Sequence, residues 1–118
     1  MASPTDIEDA NLLENLRIEL RSGCLTVAAM TQLRQEHYGY TLRKALEDVG
    51  LGIEESTLYP LLRRLENQGL LVSEWREEGR RKKRFYKLSD RGERVLGKLL
   101  VEWAGINRAL LRLIGKAA

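Results

Sequence analysis

Apolar residues recur at helical spacing from Asp9 onward, where Leu12, Leu13, Leu16 and Leu20 fall on one side of an acidic segment. Residues 1–8 show no such pattern and are expected to be disordered. The first helix is expected to bend or break near Ser22-Gly23. Beyond it, Leu25, Val27, Ala28, Ala29, Met30 and Leu33 form a nearly all-apolar helical stretch, the pattern of a helix at the centre of a core. Glu36 to Gly39 reads as a turn. Tyr40 to Val49 follows as a short helix with Leu42, Ala45, Leu46 and Val49 on one side, stopped by Gly50 and Gly52. Ser56 and Thr57 are good N-caps for the next helix, and Pro60 sits in its first turn, where a missing N–H costs little.

That helix runs to Gln68 and ends at Gly69. Val72–Glu77 and Arg84–Leu88 then predict two strands, with residues 78–82 as the hairpin tip. Ser89 caps a last long helix. Three helices followed by a β-hairpin is the order of a winged helix-turn-helix domain. The expected fold is mainly α with a small β-hairpin. It divides into a disordered start (1–8), an N-terminal helix with the winged domain (9–88), and a long C-terminal dimerisation helix (89–118).

A helical wheel places Leu58, Leu61, Leu62 and Leu65 within about 100° of one another, the stripe that faces a core. Ser56, Tyr59, Pro60, Arg63 and Asn67 lie opposite, with Arg64 on one flank and Thr57 just beyond it. An exposed face with Ser, Tyr, Arg and Asn and no acid at its centre suits a nucleic-acid groove. An ordinary amphipathic helix with a solvated basic face would look the same, and the hairpin is what separates the two. Arg80, Arg81, Lys82, Lys83 and Arg84 are five successive cations. They repel one another in isolation but would neutralise a phosphate backbone and release counterions. An edge strand guarded by charge is the alternative. Strand alternation means that not all five can touch one surface.

Charge distribution supports a polyanionic partner more than the net +3 does. Residues 1–55 hold five Lys and Arg against ten Asp and Glu, whereas residues 56–94 hold eleven against six. The 118-residue chain fits one domain. Its longest apolar run is Val27–Met30, far short of a membrane span. The polar, acidic start does not fit a secretory signal, so the expected location is the cytoplasm. One cysteine, Cys24, cannot form an internal disulfide. With one histidine, His37, it is also too few for the usual zinc sites, so no metal and no cofactor are expected. The chain has no Gly-rich phosphate loop and no nucleophile with an evident base, which argues against an enzyme.

The last segment points to a second copy. Leu96, Leu99, Trp103, Ile106, Leu110 and Leu113 are spaced 3, 4, 3, 4, 3, a heptad seam. Leu100, Leu111 and Ile114 widen the apolar arc to about 160°, more than covering a small domain needs. Leu12, Leu13, Leu16 and Leu20 of the partner's first helix are the natural cover; packing within one chain is the alternative, disfavoured because this helix follows a fold that is already complete. Trp103 near mid-seam would meet its own copy across a two-fold axis, where two indoles either stack on each other as tightly packed core residues or open to admit a flat apolar guest. Asn107, one turn on, could contact such a guest or simply set register.

Several strings resemble the PadR family of bacterial transcriptional regulators. Tyr38-Gly39-Tyr40 with Leu42 is similar to the opening of that family's second helix. Residues 56–66, Ser-Thr-Leu-Tyr-Pro-Leu-Leu-Arg-Arg-Leu-Glu, resemble its recognition helix nearly letter for letter. Gly69-Leu70-Leu71 and Ser73-Glu74-Trp75 are similar to its wing entry, and residues 83–89 with Arg91-Gly92 to its wing exit and last helix. The single C-terminal helix resembles the short subfamily. The wing tip departs from the pattern: it is short and very basic, where relatives often carry a longer Gly- or Pro-containing turn. The resemblance implies a homodimeric regulator of double-stranded DNA, usually a repressor, on palindromic operators. Tyr38, Tyr40, Ser56, Thr57, Tyr59, Pro60 and Arg63 would lie at or near DNA, although the tyrosines could equally pack behind the interface. Some short members that the chain resembles carry a Trp at this place and bind planar aromatic compounds, which adds weight to a planar aromatic effector beside Trp103 over simple packing. A winged helix used only as a protein-interaction module is the alternative reading.

Overall fold

A computed structural model describes residues 1–117 of the chain; Ala118, the end of the expected C-terminal segment, lies outside the described residues. The elements are α1 (Pro4–Gln32), α2 (Gly39–Asp48), α3 (Glu55–Asn67), β1 (Leu71–Glu78), β2 (Arg81–Leu88) and α4 (Asp90–Ala117).

The expected disordered start is largely helical. Ser3 Oγ accepts from the Asp6 N–H at 3.1 Å, and the Asp6 carboxylate accepts from the Ser3 N–H at 3.1 Å. This reciprocal capping box, with Pro4 at the first helical position, starts α1 five residues before the apolar pattern does. The expected break at Ser22-Gly23 is also absent. One glycine costs a helix about 1 kcal/mol, and both neighbouring turns are held: Thr26 Oγ1 donates to the Ser22 carbonyl, and Arg21 Nη2 donates to the Gly52 carbonyl at 2.8 Å. The two expected helices are therefore one helix of 29 residues. Its second half reaches the core through Ala29 and Met30, followed by Leu33; its first half is exposed.

The core joins these residues to Leu42 and Leu46 of α2, the Leu58, Leu61, Leu62 and Leu65 stripe of α3, Leu71, Tyr86 and Leu88 of the hairpin, and Leu96 of α4. The leucine stripe is where the wheel put it. Helix α3, however, starts earlier than expected: Glu54 is the N-cap, and Ser56 and Thr57 stand in the first turn.

The wing is a two-stranded antiparallel sheet pairing Leu71 with Leu88 through Glu78 with Arg81. Its strands are longer than expected and its turn shorter. Gly79 (φ +68°) and Arg80 alone make the turn, and a positive φ at the first of two turn residues matches the right-handed twist of a hairpin. Cross-strand pairing of Glu78 with Arg81 and Glu77 with Lys82 brings the expected tip residues into the ladder. The expected turn at Glu36–Gly39 also meets β2 through a single antiparallel bridge, since His37 and Tyr86 exchange backbone hydrogen bonds of 3.1 and 2.7 Å.

Helix α4 starts tightly against the hairpin base. Ser89 Oγ donates to the Gly69 carbonyl at 2.6 Å and accepts from the Gly92 N–H at 3.0 Å. The Leu70 carbonyl lies so close to Gly92 that any Cβ there would overlap it. Leu96 is fully buried in this chain's own core, which corrects its assignment to a seam between copies, while Leu99 packs half-buried at the edge of that core with part of its surface still free. The heptad period continues a core stripe here, and spacing alone cannot tell which wall it meets. Beyond that point α4 leaves the domain: Trp103, Ile106, Leu110, Leu111, Leu113 and Ile114 are all exposed. Leu12, Leu13, Leu16 and Leu20 on the protruding half of α1 are exposed as well.

Candidate nucleic-acid interface

Burial of the leucine stripe turns the other side of α3 outward. Ser56, Arg63 and Asn67 lie opposite the core and are exposed. Thr57, Pro60 and Arg64 turn toward α1 and, with the rim residue Ser56, line a groove of about 710 Å³ whose far wall includes Arg17, Ile18, Arg21 and Leu25. Tyr59 turns the other way, into a cleft of about 310 Å³ shared with Tyr38, Gly39, Trp75, Lys82, Lys83, Arg84 and Tyr86. The single polar face expected for this helix is thus split into three directions. Glu54 makes no side-chain cap hydrogen bond, so the first N–H groups of α3 point outward without a side-chain acceptor, a favourable setting for phosphate.

The start of α2 carries the tyrosines. Tyr38 is half-buried, with its ring 5.3 Å from Phe85 edge-on and 6.4 Å from Tyr40. Tyr40 is exposed. The Tyr38 N–H donates to Thr41 Oγ1 at 3.1 Å, and His37 Nδ1 lies 3.0 Å from the same oxygen. His37 Nε2 is buried with no hydrogen-bond partner among the described residues, and burial holds the imidazole below its ordinary pKa.

The wing does not present five equivalent cations. Lys82 and Arg84 alternate onto the face with Trp75 and Tyr86; Arg81 and Lys83 take the other. Lys83 Nζ lies 4.3 Å from the Tyr38 ring centre and donates to its hydroxyl at 3.3 Å. It is also 3.7 Å from Glu78. Arg84 pairs with Glu66 of α3 at 2.8 Å. On the opposite face Arg76 donates to Glu36 at 2.6 Å and to Glu74, and stands 4.7 Å from the Phe85 ring centre. These carboxylates drive the guanidinium further up, and the Arg76 hydrogen bonds hold Glu36 below its usual range. Among the described residues, Arg63, Arg64, Arg80, Arg81 and Lys82 are exposed and in no ion pair.

The structure therefore gathers Tyr38, Tyr40, Tyr59, Arg63 and Lys82 about the α2 start, α3 and the wing, with Arg80 and Arg81 further out. It sets Thr57 and Arg64 apart beside α1. Sequence reasoning missed the Glu66–Ser73–Arg84 contacts, the approach of Tyr59 to Gly39, and the pairing of His37 with Tyr86. The first had a usable signal, because a two-residue turn at Gly79-Arg80 sets the register that places Arg84 opposite Trp75.

Trp103 and Asn107 are both exposed on α4, and neither cleft described above includes them. No described helix is long and apolar enough to cross a membrane, and no group of three or more metal-ligating side chains occurs among the described residues.

Comparison with known proteins gives a consistent result. The sequence model of the transcriptional regulator PadR-like family matches residues 28–98. A crystal structure of a PadR family transcriptional regulator from Eggerthella lenta is 40% identical and superposes with a TM-score of 0.84, covering 92% of this chain and 96% of that one. A PadR-like transcription factor from Bacteroides fragilis is 34% identical at a TM-score of 0.71, covering 84% and 98%. The transcriptional regulator Rv3488 of Mycobacterium tuberculosis is 41% identical over 61 residues, which span 52% of this chain and only 57% of that protein.

Proposed function

The chain belongs to the PadR-like family of transcriptional regulators, and from that premise we propose that it represses transcription as a homodimer on a palindromic operator. It is a regulator of transcription and not an enzyme. The observation that carries the DNA reading is that one domain exposes Ser56, Arg63 and Asn67 on the outward side of α3 and unpaired Arg80, Arg81 and Lys82 at the end of the wing packed beside it. In this reading α3 enters the major groove and Arg63 reads a base edge. The wing cations and the tyrosines at the α2 start contact phosphates.

The homodimer is supported by exposed apolar side chains on two protruding helices, α1 and the outer part of α4. A free monomer seldom leaves so much contiguous apolar surface in water. Two copies with a two-fold axis present two recognition helices, hence the palindrome. The response to a planar aromatic compound rests on the exposed indole of Trp103 with Asn107 one turn along. Such a regulator works in the cytoplasm, where its DNA is.

A salt titration of duplex binding tests the reading. Several phosphate contacts require log K to fall steeply with log salt, by about 0.9 per contact. Binding to DNA with no salt slope, or no binding to any duplex, would instead identify a winged helix that engages proteins.

A further inference from the structure

Glu66, Ser73 and Arg84 come from three different elements and form a closed set of hydrogen bonds. Arg84 Nη2 donates to Glu66 Oε1 at 2.8 Å, and Arg84 Nε donates to Ser73 Oγ at 2.9 Å. The Ser73 hydroxyl donates in turn to Glu66 Oε2. Both carboxylate oxygens, the hydroxyl and two guanidinium nitrogens are thereby used. The guanidinium carbon sits 5.6 Å from the ring centres of both Trp75 and Tyr86, within range of cation–π attraction. The Arg84 side chain is 39% exposed and the Glu66 side chain 24%.

A two-stranded ribbon is marginal by itself in water, so the wing needs outside support to hold one angle. At its base, Leu71, Tyr86 and Leu88 are buried in the core. Farther out, one face is braced on the α1–α2 connection by Arg76–Glu36 and by Lys83 on Tyr38. The other face is tied to α3 by Arg84 and Ser73 on Glu66. Helix and wing are the two parts that must meet DNA together, and these three side chains join them directly.

We propose that Glu66, Ser73 and Arg84 form a clamp that fixes the wing relative to the recognition helix, with Arg84 a positioning residue and not a phosphate contact. The inference rests on the DNA-binding reading above. It divides the cation run by role: Arg80, Arg81 and Lys82 face solvent unpaired, whereas the charge of Arg84 is already met by Glu66. A guanidinium held on Glu66 and Ser73 contacts no phosphate and displaces no counterion, so its replacement takes no contact's share from the salt slope. The fork geometry of the arginine matters as much as its charge, because a lysine ammonium has no planar fork to span Glu66 and Ser73.

The experiment uses the full chain and a duplex that the wild-type protein enriches from a random-sequence library, with an unrelated duplex of equal length as reference. Arg84→Gln is expected to weaken the enriched duplex about tenfold, the loss of roughly one charge-assisted hydrogen-bonded contact, with an unchanged salt slope and a smaller effect on the reference. Arg84→Lys keeps the charge and is expected not to restore affinity. Equal weakening of both duplexes with a slope shallower by about one unit, or full rescue by Arg84→Lys, overturns the clamp. Ser73→Ala removes only the bridging hydroxyl and serves if the arginine variants fail to fold. In the free protein, Ser73→Ala is expected to speed amide exchange in residues 74–83 while α2 and α3 stay protected. Unchanged exchange in the wing also overturns the clamp. If the wild type enriches no duplex, the DNA reading fails, and the exchange result decides separately whether the clamp holds the wing.

Discussion

Tyr59 of α3 packs its phenol against Gly39 at the start of α2, so closely that a Cβ on residue 39 would overlap the ring and its hydroxyl. Gly39 is buried, while Tyr59 remains partly exposed in the cleft beside the wing. The glycine serves close approach here, since its backbone is not left-handed. Gly39→Ala should push the flexible Tyr59 outward. The better helix propensity of alanine, up to about 1 kcal/mol, offsets much of the crowding. The melting temperature is therefore expected to move little, while DNA affinity falls as far as it does in Tyr59→Ala. The double variant should bind no worse than either single one; additive losses would mean that Gly39 does not act through Tyr59.

Arg63 and the outer wing cations should differ in kind. Arg63→Ala is expected to lower affinity for the preferred duplex by about 1–3 kcal/mol while sparing unrelated DNA. Arg80→Ala and Arg81→Ala should weaken all duplexes alike and flatten the salt slope by about one unit per lost contact. Footprinting and salt titrations on the same proteins measure both effects.

The outer half of α4 should carry self-association. Leu110 is exposed in the single chain and removed from the core, so Leu110→Lys leaves the domain itself unstrained. A charge buried unpaired between copies costs several kcal/mol. Sedimentation should show a folded monomer; a folded dimer of wild-type stability would place the interface elsewhere. Leu96→Lys, by contrast, should unfold the domain, because Leu96 is a core residue.

His37 should make stability depend on pH. Burial lowers its folded pKa, so between the folded and unfolded values the unfolded chain binds more protons. Stability is then fully present above about pH 6.5, the ordinary histidine value, and falls as pH drops through the lower folded value. Urea melts at pH 7.5 and 5.5 should show this loss in the wild type and not in His37→Gln.

Trp103 offers a direct optical test of an effector. In a Trp75→Phe background, planar aromatic compounds should quench Trp103 saturably and change DNA affinity. Quenching without any effect on DNA binding would separate the site from regulation. Absence of quenching, with Trp103→Ala lowering stability alone, would leave Trp103 a dimer-packing residue.

Local chemistry was legible in the sequence because it depends on near neighbours. The stripe of Leu58, Leu61, Leu62 and Leu65, the hairpin around Gly79, and the Ser89 cap each follow from periodicity or from one residue's backbone preference. The outward face of α3 followed from the same stripe. The start of α1 is legible too, in the Ser3-Pro4-Asp6 cap, although apolar spacing begins only at Asp9 and carries no sign of it. Tertiary structure decided what spacing cannot encode. A heptad marks an apolar stripe without naming the surface that covers it, so only packing could give Leu96 to the core and leave Leu110 exposed. Five consecutive cations read alike until the strand register and the position of α3 bring Glu66 to Arg84 and leave Arg80 and Arg81 unpaired. Those distinctions depend on contacts between residues far apart in the chain, which the fold alone brings together.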